Sequence, residues 1–331
     1  MTVTNLAPLV QRFFTDRLYS QLGASPHTVA SYRDTFRMLL LFTSTRLRRE
    51  PSQLRLEDLD AALIGAFLEH LENERASTPK TRNTRLAAVR AFFRFVAYAE
   101  PICSLQCQQV LAIPNKRHER ALVEFLAEQE GASLVAAPDT TTWIGRRDRT
   151  LLQVALQTGV RNAEIRSLRC RDVDLGVGAH IRCFGKGRKT RCTPLRRDIA
   201  AALKLWLVER GGGPDDPVFP SSRGGLLSAD ALQALVSRHA ATAGIKCPSL
   251  VGRSVTPHTL RHTAAMNLLR RGVDLTVIAL WLGHESIETT QIYLHADMQL
   301  KERALGHADP SGTAPPRYRP SDDLLEFLRS L

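Results

Sequence analysis

Apolar residues at helical spacing dominate the first hundred residues and predict a bundle of helices over about residues 5–100. Ser25 suits an N-cap and Pro26 the first helical turn, so a second helix is predicted to begin there. A third helix is predicted over residues 59–73, and a fourth begins at Thr78. The apolar stripes of helices two to four are Val29, Tyr32, Phe36, Leu39 and Leu40; Leu63, Phe67, Leu68 and Leu71; and Leu86, Val89, Phe92, Phe93 and Val96.

Residues 103–116 show no clear periodicity and are predicted to be a linker between a helical domain, residues 1–102, and a second domain, residues 117–305. The tail, residues 306–331, is polar until a short amphipathic stretch at 322–331. So short a helix is unstable alone in water, so we expect it to dock on its own body or on a neighbour.

The second domain is mainly helical but contains a predicted β-hairpin. Residues 180–184 and 190–195 flank the sequence Gly-Lys-Gly-Arg-Lys, which places Lys186 at the tip. This turn lacks the glycine spacing of a phosphate-binding loop, and a solvated turn explains it equally well. The fold class is therefore mainly α, with a helical bundle followed by a mixed α/β domain holding a small sheet.

Residues 256–293 place polar side chains at successive helix ends. Thr256 is a suitable N-cap, and His258 and Arg261 then share one face of the first turn, where free N–H groups attract anions. Gly272 is predicted to end this helix, Asp274 to cap the next and Gly283 to end it. His284 follows, and Ser286 can cap a third helix that carries Tyr293. The set is expected to converge on one point.

Phosphoryl transfer is the chemistry that suits this set. A guanidinium matches two phosphate oxygens, and a histidine donates to a third or moves a proton. Tyrosine can attack as a nucleophile, although its free pKa of ~10 means that it needs help to lose its proton. The competing interpretation is a solvated basic helix followed by two core helices. It explains an apolar stripe of Leu260, Ala264 and Leu268, but not the polar helix ends.

Composition points to a polyanionic partner. The 331 residues include 45 Lys and Arg against 33 Asp and Glu, a net charge of +12, and nucleic acid is the first candidate. A membrane is the rival partner, but no apolar run approaches ~18 residues. Without signal-peptide layout or zinc-finger spacing of the six cysteines, we expect a cytoplasmic protein with reduced thiols. Cys183 and Cys192 could face each other across the hairpin.

Several basic residues are candidates for DNA contact. Lys80, Arg82 and Arg85 lie at a helix start, where they oppose the helix dipole unless a phosphate is present. A solvated basic face is the alternative. Arg238 and His239 on a later helix are expected to contact backbone phosphates.

Six positions occur in a fixed order: Arg161 with Glu164, Lys186, His258-x-x-Arg261, His284 after Leu282-Gly283, and Tyr293 nine residues later. This pattern resembles the tyrosine recombinase, or phage integrase, family over about residues 120–301. The helical domain before it resembles the SAM-like core-binding domain of that family. The departures are Trp281, where leucine is commoner, and the long tail.

The resemblance implies a role for each position. Arg161 and Arg261 would clamp the scissile phosphate with His284 as a further donor, while Glu164 orients Arg161. Tyr293 would attack phosphorus and form a 3′-phosphotyrosyl link with a free 5′-hydroxyl. Lys186 would protonate the leaving oxygen, and His258 would act as proton acceptor or positioner.

The resemblance also implies partners and biological roles. No metal, ATP or other cofactor is expected. The expected partners are double-stranded recombination sites and three further copies in a synaptic tetramer, with the tail helix docked on a neighbouring subunit. Such an enzyme would be encoded by a bacterium, a phage or a mobile element, and would serve integration, excision, transposition or dimer resolution.

The sequence is also compatible with other functions. A type IB topoisomerase uses similar chemistry as a monomer, but in the recombinase family a tail helix links protomers, which argues against it. A DNA-binding accessory protein without activity is a third candidate.

His258 and His262 are spaced for zinc, but the residues between them do not fit a zinc protease. Tyr19, Tyr32 and Tyr98 are predicted core residues and Tyr318 lies in the tail, which leaves Tyr293 as nucleophile.

Overall fold

The computed structural model describes residues 5–118, 123–185, 190–284 and 286–296. The chain divides into two compact units, Met1–Arg120 and Ala121–Leu331, each with its own hydrophobic core. Lys186 and the tail stretch 322–331 lie outside the described residues. Across the described ranges, no helix combines the length and apolarity that crossing a membrane requires.

The first unit is helical, as predicted. Ser25 Oγ accepts from the amide of Thr28 at 3.2 Å, and Thr78 Oγ1 accepts from the amide of Thr81 at 3.2 Å, so both expected caps are present. A π-helix, Phe13–Gln21, extends the first α-helix without a sequence signal that predicted it. The α-helices are α1 Leu6–Arg12, α2 Pro26–Leu47, α3 Ala61–Asn73, α4 Pro79–Ala99 and α5 Ser104–Ala112.

The core of the first unit is built around aromatic rings from three helical segments. The Phe92 ring lies 5.1 Å from Phe36 and 5.5 Å from Phe13, both in edge contacts. The prediction that Tyr19 and Tyr98 are core residues is wrong, since they are 61% and 88% exposed. Tyr19 is adjacent to buried Leu18, and Tyr98 lies two residues after buried Val96. Residues one or two apart occupy different faces of a helix, so both tyrosines face away from the core.

The predicted linker over residues 103–116 needs correction, because α5 occupies most of it. Cys107 and Val110 of α5 are buried in the core of the first unit. The Gln106 side chain donates from Nε2 to the carbonyls of Leu56 and Leu59 at 2.7 and 3.2 Å. Two buried residues make too short an apolar stripe for a periodicity to be read from the sequence.

The second unit is mainly helical with one small antiparallel sheet, which confirms the predicted fold class. The hairpin pairs β2, His180–Phe184, with β3, Thr190–Pro194, as far as Phe184 opposite Thr190. A further strand that the sequence did not predict, β1, Val173–Asp174, pairs with β2. The elements are α6 Glu128–Ala136, α7 Trp143–Thr158, α8 Asn162–Ser167, β1 Val173–Asp174, β2 His180–Phe184, β3 Thr190–Pro194, α9 Arg197–Arg210, α10 Ala229–Gly244, α11 Pro257–Arg270, α12 Leu275–Leu282 and α13 Glu288–Ala296.

The strand register corrects the expectation about the hairpin cysteines. Cys183 lies opposite Arg191, and Cys192 lies opposite Arg182. Directly opposed residues share a face of the sheet and successive residues alternate, so the two thiols lie on opposite faces. Cys183 is accordingly buried and Cys192 exposed.

The helix ends predicted for α11 and α12 are confirmed. Thr256 Oγ1 accepts from the amide of Thr259 at 3.1 Å, and Asp274 Oδ1 accepts from the amide of Thr276 at 2.8 Å. Gly283 ends α12 at a φ of +65°. A small core of α11, α12 and α13 residues forms here, and it includes the ring of Tyr293.

Candidate active site

Tyr293 forms a hydrogen bond with a histidine inside the second unit. Its hydroxyl lies 3.0 Å from Nδ1 of His262, and the side chain is 1% exposed. The ring of His258 follows, with its centroid 4.2 Å from that of His262. His262 therefore contacts the phenol directly.

Burial sets the charge of this pair. Burial, followed by the nearby His258 and Arg261, lowers the pKa of His262 to about 4. Burial raises the pKa of Tyr293 to about 12, although the charge of Arg261 opposes that shift. Near pH 7 the phenol is thus protonated, and the neutral imidazole is able to accept its proton.

Arg261 lies beneath a cleft and is held by two backbone carbonyls. It is 4% exposed and donates to the oxygens of Gly159 at 2.6 Å and Leu282 at 2.8 Å. Burial, with repulsion from Arg161, lowers the pKa of Arg261 to about 10, so it stays charged at neutral pH. Position 159 favours glycine, because its φ is +63° and a Cβ there would lie 2.7 Å from the end of the Leu282 side chain.

Arg161 is held by Glu164, as its position at the start of α8 predicts. Its amide and its Nη1 donate to the two oxygens of Glu164 at 2.7 and 2.9 Å, and its Nη2 donates to the carbonyl of Gly283. Burial by itself would raise the pKa of Glu164, but hydrogen bonds from Arg191 and Arg161 lower it to about 2. The carboxylate is therefore ionised throughout the neutral range.

His284 is tied to the helix that carries Tyr293. Its Nδ1 lies 2.7 Å from Oγ1 of Thr290, a buried residue one turn before Tyr293. Burial, with the charges of Arg261 and Arg161, lowers the pKa of His284 to about 4. The two aromatic rings, of His284 and Tyr293, are 6.5 Å apart.

A cleft of about 360 Å³ brings the two arginines to one surface. Arg161, Arg261 and His258 line it together with Asn162 and Gln233. Cationic groups at the start of two helices form an anion site, and its size and charge suit a phosphodiester. In the part of the chain that the structure describes, no three metal-binding side chains cluster.

Two residues of this site were missed by sequence reasoning. His262 was considered only as a zinc ligand, although its spacing of four from His258 places both on one face of α11. Arg191 on β3 donates from both terminal nitrogens to Glu164 at 2.7 Å each. Nothing in the sequence signalled that contact, because it joins residues far apart in the chain.

The predicted DNA-contact residues differ in their exposure and in how many protein acceptors they bond. Lys80 is exposed, while Arg82 donates to the carbonyl of Pro114 at 2.9 Å and Arg85 to that of Ser31 at 3.0 Å. Arg238 is paired with Asp148 at 3.0 Å but its side chain is 60% exposed.

The expected phosphate contact of His239 needs correction. It is 8% exposed, and its Nε2 lies 2.8 Å from Oδ2 of Asp148. Buried Leu235 and Val236 stand four and three residues before it, so it continues the buried stripe of α10.

Comparison with known proteins finds a family match for each of the two units. The phage integrase family matches residues 124–300, and the phage integrase N-terminal SAM-like domain matches residues 11–100. A Sinorhizobium fredii protein named "Putative integrase/recombinase y4rC" is 52% identical over 99% of this chain and 98% of its own length. Tyrosine recombinase XerD of Pseudomonas aeruginosa is 33% identical over 87% of this chain and 92% of its own.

A solved structure shares the fold. XerH recombinase, crystallised with a palindromic difH substrate after cleavage, superposes with a TM-score of 0.69 at 24% identity. The match covers 86% of this chain and 80% of that one. Taken with the family match over more than half of the sequence, these findings show that the chain belongs to the phage integrase family of tyrosine recombinases, which are DNA strand-transfer enzymes.

Proposed function

We propose that this site-specific recombinase cuts DNA with Tyr293 as its nucleophile. The phenol oxygen bonds to phosphorus, the bond from phosphorus to the 5′ oxygen breaks, and a 3′-phosphotyrosyl link results. The observation that carries this assignment is the cleft of Arg161, Arg261 and His258, with the bonded pair of His262 and Tyr293 beside it.

The two arginines and His284 stabilise the transition state. Negative charge builds on the phosphoryl oxygens during the displacement, and fixed donors that already point at them need no reorganisation. Arg261 is held by two carbonyls and Arg161 by Glu164, so both guanidiniums are preorganised. The phosphotyrosyl link keeps the energy of the broken bond, so rejoining requires no ATP.

The proton of Tyr293 is transferred to His262 in this proposal. A buried phenol whose pKa is raised to about 12 is a weak nucleophile until a base takes its proton. His262 accepts it, and His258, at the cleft, positions the phosphate or relays the proton. Protonation of the 5′ oxygen is assigned to Lys186, which lies outside the described residues.

Attack requires Tyr293 to move. A side chain that is 1% exposed cannot place its hydroxyl on a phosphorus atom in the cleft while it stays buried. Because Tyr293 and Thr290 lie on one face of α13, a shift of α13 moves the phenol and the partner of His284 together. We therefore assign the described arrangement to the enzyme before it engages DNA.

A nicked suicide substrate tests the nucleophile. The protein is incubated with target DNA that carries a nick beside the cleavage point, so that the released fragment is lost and religation fails. We expect a covalent band on a denaturing gel, with the linked peptide mapped to Tyr293 by mass spectrometry. A link to another residue contradicts the proposal, and no link on a verified target favours an accessory protein. Exchange of strands between two duplexes, rather than relaxation alone, separates a recombinase from a topoisomerase.

His262→Asn is expected to slow cleavage about 100-fold, the scale of a lost general base, because asparagine can bond the phenol but cannot take its proton. In the wild type the single-turnover rate is expected to fall as the pH approaches the His262 pKa of about 4, since the imidazolium cannot accept a proton. The variant should lose the part of that dependence that comes from His262, while His284, whose pKa is also about 4, titrates in both proteins. His258→Asn is the matched comparison: a larger loss there, with His262→Asn near normal, would move the base to His258.

DNA contact by the first unit is assigned to the start of α4. Lys80 is exposed there, and Arg82 and Arg85 are half-buried beside it, each engaging neighbouring acceptors through Nη1. Arg238 of the second unit is a further candidate, because its side chain is largely exposed despite its ion pair. With a net charge of +12, phosphate contacts should dominate the binding of double-stranded DNA.

We propose that the tail stretch 322–331 docks on a neighbouring subunit within a synaptic tetramer. Two adjoining cavities on the second unit, about 420 and 170 Å³, share Leu156, Arg196 and Arg271 among their lining residues. The lining combines apolar side chains with three arginines and two carboxylates, Glu128 and Asp198, so its net charge is positive and complements a tail that combines Asp322 and Asp323 with leucines. The tail itself lies outside the described residues.

Deletion of residues 322–331 is expected to abolish assembly of synaptic complexes while leaving DNA binding by single subunits intact. The loss follows because the groove of each subunit would be empty. Native gels and light scattering on target DNA measure it. Replacing Leu324 and Leu328 with serine keeps the chain length and should have the same effect. Unchanged synapsis in both variants would contradict the docking proposal.

The biological role remains one of integration, excision, transposition or dimer resolution, carried out on DNA in a bacterial cytoplasm. Similarity to y4rC and to XerD supports a bacterial or mobile-element origin. Sequencing the junctions of DNA recombined in cells identifies both the target and the role.

A further inference from the structure

Three arginines from separate parts of the second unit donate to consecutive carbonyls at the end of α12. Nε of Arg191 donates to Trp281 at 3.1 Å, Nη2 of Arg261 to Leu282 at 2.8 Å, and Nη2 of Arg161 to Gly283. The last carbonyls of a helix lack partners within it and carry the negative end of its dipole. The three guanidiniums thus fix the point from which the chain continues into His284.

Arg191 differs from Arg161 and Arg261 because it does not line the cleft. Its Nη1 and Nη2 donate to the two oxygens of Glu164, and its Nε donates to Trp281, so each nitrogen has a protein acceptor. Its side chain is 13% exposed, whereas that of Arg161 is 34% exposed. Arg191 is not among the residues that line the cleft. Its chemistry is therefore directed at protein groups and not at a phosphate.

The packing beside Arg191 is close. A Cβ added at Gly283 would lie 2.8 Å from Nη1 of Arg191, and the backbone of Gly283 has a φ of +65°. The guanidinium therefore fills the space that a side chain at position 283 would need. This contact joins β3 directly to the turn between α12 and His284.

We propose that Arg191 is a positioning residue: it joins Glu164 to the end of α12 and thereby aims Arg161 and His284 at one phosphate. Glu164 receives both terminal nitrogens of Arg191 on one side and the amide and guanidinium of Arg161 on the other. The inference rests on the proposed function, because it assumes that Arg161 and His284 bind the scissile phosphate.

Arg191→Met and Arg191→Lys test the proposal by single-turnover cleavage of the nicked substrate at saturating DNA. Loss of a supporting residue that orients a reacting group typically costs about 10- to 100-fold, and we expect the methionine variant near the upper end. Lysine keeps the charge but cannot bond both oxygens of Glu164, so its rate should be intermediate. DNA affinity, measured in a Tyr293→Phe background, should be unchanged, because Arg191 does not contact phosphate.

The matched control is Arg171→Met. Arg171 is an exposed arginine beside the same sheet, paired with exposed Asp215. Its replacement should leave the cleavage rate and the DNA affinity at wild-type values.

A pH profile separates positioning from general damage. In the wild type, Glu164 stays ionised at every working pH, since its pKa is about 2. Without Arg191, Arg161 remains as its hydrogen-bonding cation, with Arg261 near and the buried thiol of Cys183 facing it, so Glu164 takes up a proton at higher pH. As the pH is lowered, cleavage by Arg191→Met should therefore begin to fall at a higher pH than cleavage by the wild type.

Two outcomes would overturn the proposal: wild-type cleavage by both variants at every pH, or a loss of DNA affinity equal to the loss of rate. If the methionine variant does not fold, the lysine variant carries the same test. Failure of the wild type to form a Tyr293 adduct would instead reject the proposed function. A wild-type adduct together with full activity of the Arg191 variants rejects this inference alone.

Discussion

Tyr293→Phe is expected to bind target DNA with wild-type affinity and to form no covalent adduct. The phenol oxygen is the atom that bonds to phosphorus, so its removal ends the reaction and does not merely slow it. Stability should change little, because the ring stays in the core of α11, α12 and α13 and one hydrogen bond, to His262, is lost, a net cost of about 1 kcal/mol.

The experiment for this variant compares gel shifts with adduct yield on the nicked substrate. Tyr98→Phe is the control, since Tyr98 is 88% exposed and belongs to the first unit, and its adduct yield should equal that of the wild type. An adduct that persists in Tyr293→Phe would assign the nucleophile elsewhere.

Arg261→Ala should lose about 2.7–4 kcal/mol of transition-state stabilisation, which corresponds to about 10²–10³ in the cleavage rate, by analogy with the loss of one oxyanion donor. Arg261 is held in place by two carbonyls and lines the cleft, so its charge faces the developing phosphoryl charge. Single-turnover rates at saturating DNA measure the effect.

The variant also leaves the carbonyls of Gly159 and Leu282 without their donor, so thermal unfolding must be measured beside the rate. Arg253→Ala is the matched control: Arg253 is also held by protein acceptors, the Glu130 carboxylate at 2.8 Å and the Phe125 carbonyl at 2.9 Å, but it does not line the cleft. It should lower stability and leave the rate at saturating DNA unchanged. Near-normal cleavage by a folded Arg261→Ala would contradict the phosphate clamp.

Local signals predicted much of this molecule correctly. Caps such as Ser25, Thr256 and Asp274 act within three residues, so the sequence contains all that is needed to place a helix start. The hairpin follows from two short strands around a glycine-containing turn. Arg161 and Glu164 stand three apart on adjacent turns, and their ion pair follows from that spacing.

Contacts that depend on how helices pack could not be predicted in the same way. His258 and His262 lie on one face of α11, and the position of α13 brings Tyr293 to His262. Arg191 on β3 reaches Glu164 on α8, over a separation of 27 residues in the chain. His239 looked like a surface residue beside Arg238, but the phase of α10 turns it inward to Asp148.

A structure of the covalent complex is the most direct measurement of the central claim, that separate segments of the second unit converge on one phosphodiester. The nicked substrate traps this complex with the phosphate joined to Tyr293. We expect nitrogens of Arg161, Arg261 and His284 within hydrogen-bonding distance, about 3 Å, of the oxygens of that phosphate. A phosphotyrosine that lies beyond the reach of both guanidiniums in every subunit would contradict the account.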